Sequence, residues 1–170
     1  TNNNQIILIV VDGVFSMEGD IVKLDKIINL AKKYSASIMI DDAHAIGVIG
    51  KNGSGTESHF NEKNQVDIVM GTFSKSLASL GGFIASDKET INFIKHKARS
   101  LLFSASIPPA SAATVIAALD VIYNEPERID KLWENTKYAK KCLDQEGFNT
   151  GNSETPIIPI RIGNDLNTFK

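Results

Sequence analysis

Three short polar segments in this sequence hold the residue types that perform covalent and acid–base chemistry. They are Asp12-Gly-Val-Phe-Ser-Met-Glu-Gly-Asp20, Asp41-Asp-Ala-His44 and Thr72-Phe-Ser-Lys75. Each follows an apolar run: Ile6 to Val11, Ser37 to Ile40 and Val66 to Met70. Ligands of open parallel sheets bind beyond the carboxyl ends of the strands, so the three segments share a position where sites are built. Lys75 stands among Thr72, Ser74 and Ser76, with Gly81-Gly82 close behind. A lysine held over a pocket can form a Schiff base with an aldehyde, and desolvation suits its amine to that task. Pyridoxal phosphate, an aldehyde cofactor, asks for an acid at its ring nitrogen and a donor at its phenolic oxygen. It also needs hydroxyls or backbone N–H groups around its phosphate. Asp41, His44 and Thr72 are chemically suited to those places. The plain alternative is a solvated lysine, with carboxylates that cap the next turn.

Other chemistries fit less well. Two acids and a histidine within residues 41–44 suggest a divalent cation, but no third acid or second histidine stands at matching spacing, and no metal site is assigned. The glycine-rich run from Gly47 to Gly55 is not a nucleotide loop, because Gly50-Lys51 is followed by Asn52 and no obvious helix comes next. His59 and His96 receive no role. Trp133 and Tyr138 share a helical stretch with Leu132, Ala139 and Leu143, which predicts core or interface packing. Cys142 reads as a small, half-buried apolar residue.

The elements that must position these residues alternate in type. Ile6 to Val11 is a continuous β-branched run, the pattern of a strand buried on both faces. Leu24, Ile27, Ile28, Ala31 and Tyr34 form one helical stripe. Strands follow at 37–40, 66–70 and 81–85. Asp87 can cap a helix over 88–99. An Ala-rich helix over 110–123 implies close packing. Pro126 suits the first turn of a helix that reaches Glu146 and stops at Gly147. Ile157 to Ile162 reads as a further strand, which needs partners from elsewhere because a lone strand cannot bury its apolar face. The pattern predicts an α/β fold with a mostly parallel sheet. The small, polar stretch 147–155 suggests a boundary, with 1–150 in a main domain and 151–170 opening a second, incomplete one.

Composition bounds the rest. The 170 residues are 42% hydrophobic and 22% charged, an ordinary globular balance. A net charge of -2 gives no electrostatic reason to expect nucleic acid or an anionic membrane. One cysteine excludes an intramolecular disulfide and points to a reducing, cytoplasmic setting. No apolar run approaches the roughly 18 residues of a transmembrane helix. The chain opens on Thr1 without an initiator Met, which suggests a piece of a longer protein.

The three segments, together with Leu102-Phe-Ser-Ala-Ser-Ile-Pro-Pro109, resemble the α-oxoamine synthases, and the resemblance runs over essentially the whole chain. These fold-type-I pyridoxal phosphate enzymes, with an aspartate-aminotransferase-like large domain, join an amino acid to an acyl-CoA with loss of CO2 and CoA. The resemblance implies that Lys75 forms the Schiff base, Asp41 pairs with the pyridinium nitrogen and His44 donates to the phenolic oxygen. It places Ser16 near the ring and Thr72 with Ser74 at the phosphate. Ser104 would reach the phosphate of the partner subunit in a homodimer with a shared site. The segment from Phe73 to Phe83, and Asn124-Glu-Pro-Glu-Arg128 with Leu132-Trp-Glu-Asn135, resemble bacterial serine palmitoyltransferases, which use serine and a long-chain acyl-CoA in sphingolipid synthesis. Ser106-Ile-Pro-Pro109 is closer to glycine C-acetyltransferases (2-amino-3-ketobutyrate CoA ligases) and 8-amino-7-oxononanoate synthases. A catalytically silent subunit of the same fold is the rival class, and Lys75 argues against it. The family's ring-stacking group and carboxylate-gripping arginine lie in parts with no match here, so these residues alone are expected to be inactive.

Overall fold

The computed structural model describes residues 6–169. Its sheet has four strands in the order β1 (Leu8–Asp12), β2 (Ser37–Asp41), β3 (Ile68–Thr72) and β4 (Gly82–Ser86). The first three run parallel, and β4 pairs antiparallel with β3. The direction of β4 follows from chain length: residues 73–81 are too few for the crossover that a parallel neighbour requires. Between β1 and β2 lies α1 (Leu24–Tyr34), whose Leu24, Ile28 and Ala31 are buried. They pack with buried Val22 on Ile38 and Ile40 of β2, with Ile9 and Val11 at the margin. Full burial of each large aliphatic side chain contributes about 1.5–3 kcal/mol.

The route from β2 to β3 is irregular and carries a second core. It contains a 3-10 turn at Lys51–Gly53 and the single-turn helix α2 (Thr56–His59). Ala45 and Ile49 of this route pack with Val14 and Ile21, against partly buried Val48, Phe60, Trp133 and Ile157. Trp133 comes from α6 (Glu127–Gln145), and its indole N–H donates to the Val48 carbonyl at 3.0 Å. The remaining helices are α3 (Lys88–Lys97), α4 (Arg99–Leu102), α5 (Pro109–Asn124) and α7 (Asp165–Thr168). Asp87 caps α3 as expected, accepting from the N–H groups of Glu89 and Thr90 at 2.8 and 2.9 Å. Among the described residues, no helix is long and apolar enough to cross a membrane.

Asp42 ties this second core to the sheet. It is 4% exposed, and its carboxylate accepts from the Thr56 hydroxyl at 2.5 Å and the Thr56 N–H at 3.0 Å. Thr56 itself is fully buried. Burial pushes the Asp42 carboxyl up from its ordinary range, and the two Thr56 bonds pull it back. Gly13 is required beside this pair, since a Cβ there would overlap both the Thr56 hydroxyl and the Asp42 carboxylate.

Several expectations change. β1 is not buried on both faces: Leu8 and Val10 are 46% and 62% exposed, because α1 covers only the face carrying Ile9 and Val11. Residues 157–162 form no strand among the described residues, since no strand lies alongside to pair with them. The stretch after Gly55 does hold a helical turn, α2. The Ala-rich α5 buries only Val115, so the close packing its composition implies is not supplied by the described residues. Tyr138 is exposed rather than packed, unlike Trp133. The first residues of the predicted main domain, 1–5, and the last of the second, 170, fall outside the described residues.

Thr56→Val keeps the shape of the side chain and deletes the hydroxyl. It should cost about 1–3 kcal/mol of stability, the penalty for leaving a buried acceptor without its donor. The lost bond favours the ionised carboxylate, so the cost should be larger at pH 7 than in mild acid. Denaturant melts of the purified protein at both pH values check this.

Candidate active site

Backbone bonds continue the parallel ladder past the strand ends. Asp12 stands opposite Asp41 in the register, the Gly13 N–H donates to the Asp41 carbonyl at 2.8 Å, and the Asp42 N–H donates to the Met70 carbonyl at 2.8 Å. The carboxyl ends of β1, β2 and β3 are therefore held side by side. Neighbouring acids then diverge. Asp42 turns inward to Thr56, while the Asp41 carboxylate accepts from the Ala43 N–H at 2.9 Å. A helical turn follows, with the N–H groups of Ala45 and Ile46 donating to the Asp42 carbonyl at 3.0 and 3.1 Å. This turn presents His44 just beyond the carboxyl end of β2.

Lys75 arrives from the β3–β4 connection. That loop is closed at its base by Phe73 N–H to the Gly81 carbonyl at 2.9 Å and Ser79 N–H to the Phe73 carbonyl at 2.7 Å. Leu77, 1% exposed, anchors it from below. The Thr72 and Ser74 hydroxyls are 2.9 Å apart, and the Ser74 N–H donates to Thr72 Oγ1 at 3.3 Å. Two hydroxyls and a strand-end backbone are thus gathered in one place.

His44 and Lys75 face each other across a cleft of about 130 Å³, with Ile46, Ser76, Pro156 and Ile157 among its walls. The His44 imidazole is held below its ordinary 6.5 by burial first and by the Lys75 charge second, against the pull of Asp12 and Asp41. At neutral pH it is uncharged and can donate from one ring nitrogen while accepting at the other. The arrangement brings together an amine, a neutral imidazole and a carboxylate, with a hydroxyl pair on the neighbouring strand.

The other candidates sit apart from this cleft. Ser16 is exposed in the turn between Phe15 and Gly19, whose Gly19 N–H donates to the Phe15 carbonyl at 2.9 Å. Ser104 is exposed after α4, and its hydroxyl donates to the Ser100 carbonyl. Lys75 is itself exposed, so the desolvation its role calls for is not provided by the described residues. Sequence reasoning assigned nothing to Asp12, Ser76 or the wall formed by Thr155, Pro156 and Ile157. The wall has no local signal in the sequence: it forms because the Thr155 hydroxyl donates to the Gly19 carbonyl at 2.9 Å and folds the segment back on the first polar loop.

The family model for aminotransferase class I and II matches residues 1–169. A serine palmitoyltransferase of Sphingobacterium spiritivorum is 55% identical over 95% of this chain and 41% of its own. An 8-amino-7-oxononanoate synthase of Bacillus velezensis is 51% identical over 96% of this chain and 42% of its own. A solved serine palmitoyltransferase variant from S. paucimobilis, with a bound PLP–myriocin aldimine, superposes with a TM-score of 0.90 at 31% identity. That match covers 98% of this chain and 44% of the solved one. The chain thus spans about two-fifths of the length of these relatives.

The charge environment of His44 is measurable without any ligand. With three histidines in the sequence, its ring signals can be followed by NMR through a pH titration. The midpoint should lie below 6.5, rise in Lys75→Met as the repelling charge is removed, and fall further in Asp12→Asn. The sign for stability follows: a depressed imidazole contributes fully above pH ~6.5 and loses that contribution as pH falls towards its folded midpoint.

Proposed function

The chain belongs to the aminotransferase class I and II family, and within it we propose that the protein is a pyridoxal 5′-phosphate-dependent acyltransferase joining serine to a long-chain acyl-CoA. CO2 and CoA are the other products. The observation that carries this reading is Lys75 facing neutral His44 beyond the aligned ends of β1, β2 and β3. The donor set fits the cofactor: Lys75 offers an amine, Asp41 a carboxylate, His44 an N–H, and Thr72 with Ser74 two hydroxyls. When bound, pyridoxal phosphate supplies an electron sink for bonds broken at the amino acid's α-carbon. The choice of serine follows the 55% identity to a serine palmitoyltransferase.

The chain's own residues have separable tasks. Asp41, steadied by the Ala43 N–H, holds a negative charge where a protonated ring nitrogen would pair with it. His44 stays neutral, so it donates without adding a second positive charge beside Lys75. Thr72 and Ser74 would offer their hydroxyls to the cofactor's phosphate, and Lys75 Nζ would take up and return the substrate proton. Ser16 is assigned to the ring's surroundings. Ser104 is assigned to the phosphate of a second subunit in a homodimer. Leu101, Leu102 and Phe103, 53%, 52% and 82% exposed, are the apolar surface such a subunit would cover. Residues 1–150 are assigned to the cofactor-binding domain and 151–170 to the start of a smaller one. The single cysteine suits a cytoplasmic enzyme.

Two measurements test the reading. Added pyridoxal phosphate should give the purified protein a visible absorption band that borohydride removes and that Lys75→Ala lacks. An intact, reducible band in that variant would remove Lys75 from its role. Glycine, alanine and serine crossed with short and long acyl-CoAs should release CoA fastest with serine and a long chain. Preference for glycine with acetyl-CoA, or for alanine, would move the protein to the glycine C-acetyltransferase or 8-amino-7-oxononanoate synthase class.

A further inference from the structure

We propose that Ser76 is the positioning residue that fixes Lys75 against His44: its hydroxyl donates to the Ile46 carbonyl at 2.7 Å and clamps the lysine loop to the histidine turn. The purpose of the clamp rests on the functional reading above; its existence does not. Lys75 is exposed on a loop, and an unrestrained lysine side chain samples many rotamers. Among the described residues, this is the one hydrogen bond that joins the 73–81 loop to the 43–48 turn. It acts one residue from Lys75 and two from His44.

Both ends of the bond are prepared. On the acceptor side, the Ile46–Gly47 peptide is held on its other edge, where the Gly47 N–H donates to the Gly53 carbonyl at 2.7 Å. The Ile46 N–H is anchored in turn to the Asp42 carbonyl at 3.1 Å. The carbonyl therefore points at Ser76 before any loop motion is considered. Gly47 has φ of 77°, and a Cβ added there would stand 2.7 Å from Ser76 Cβ and 2.9 Å from its Oγ. Glycine at this position leaves the room that the serine occupies. On the donor side, buried Leu77 fixes the backbone immediately after Ser76. An exposed hydrogen bond adds little to global stability, so the consequence of this one is local orientation.

The lysine charge already reports its own position, because it is one of the groups that set the His44 titration, together with Asp12 and Asp41. The test compares Ser76→Ala with Lys75→Met in the cofactor-free protein, following the His44 ring by NMR as pH is varied. Release of the clamp should move the His44 midpoint upward, in the direction given by Lys75→Met. Adding Ser76→Ala to Lys75→Met should produce no further shift. In the holoenzyme Ser76→Ala should lower kcat about tenfold with KM for acyl-CoA unchanged, as expected when a reacting group is misplaced rather than removed. An unchanged His44 midpoint in Ser76→Ala overturns the proposal, even if activity falls. Absence of a cofactor band in the wild-type protein would instead overturn the functional reading, and would leave the titration result standing.

Discussion

A carboxylate removed from water must be given hydrogen-bond donors, and in this protein that requirement shapes the whole site. Asp42 follows β2 directly and is buried, so it recruits both the hydroxyl and the N–H of Thr56 from the far end of the next loop. Satisfying that one group closes residues 42–56 into a compact unit and fixes where α2 begins. The same carbonyl–amide peptide also feeds the turn that carries His44. Gly13 belongs to the constraint as well, because only hydrogen fits at the end of β1 beside the pair.

From this anchor the chemistry is arranged outward in order of rigidity. Asp41 sits on the last residue of a strand paired on both sides, so its position varies least. His44 sits one turn further, on a segment held by Asp42 and packed through Ala45 and Ile49. Lys75 keeps the most side-chain freedom, on an exposed loop held by Leu77, by the base bonds of Phe73 and by the Ser76 hydroxyl. A fixed carboxylate beside an amine on a flexible side chain suits chemistry in which the amine must approach and leave.

The surface tells a complementary story. Leu8 and Val10 on one edge strand, Phe93 on α3, and Ile116, Leu119 and Tyr123 on α5 leave large apolar area in water. Isolated exposed apolar residues are ordinary, but these lie on the sheet and on helix faces that normally pack. The same holds for the apolar stretch 157–162, which has no strand beside it among the described residues. The described residues thus form a well-packed nucleus around α1, β2 and the 42–56 loop, and a rim whose apolar faces are left uncovered among the described residues.

The nucleus was legible in the sequence because its signals are local. The stripe of α1, the cap at Asp87, the apolar runs ending in Asp12, Asp41 and Thr72, and the Pro126 start of α6 follow from periodicity and backbone chemistry between near neighbours. The residue types at the strand ends likewise mark the chemistry, since an amine, an imidazole and acids at those points have few joint uses. What the sequence could not decide depends on contacts between distant residues. Asp41 and Asp42 are chemically identical neighbours, and only the packing of Thr56 turns one into a buried anchor and leaves the other at the site. Ser76 reads as one more loop serine until the fold brings the Ile46 carbonyl to it. Nothing local tells that the Thr155 hydroxyl meets the Gly19 carbonyl. Burial of β1 and α5 was overestimated for the same reason: apolarity states what a segment can bury, whereas the surrounding tertiary structure decides what is there to cover it.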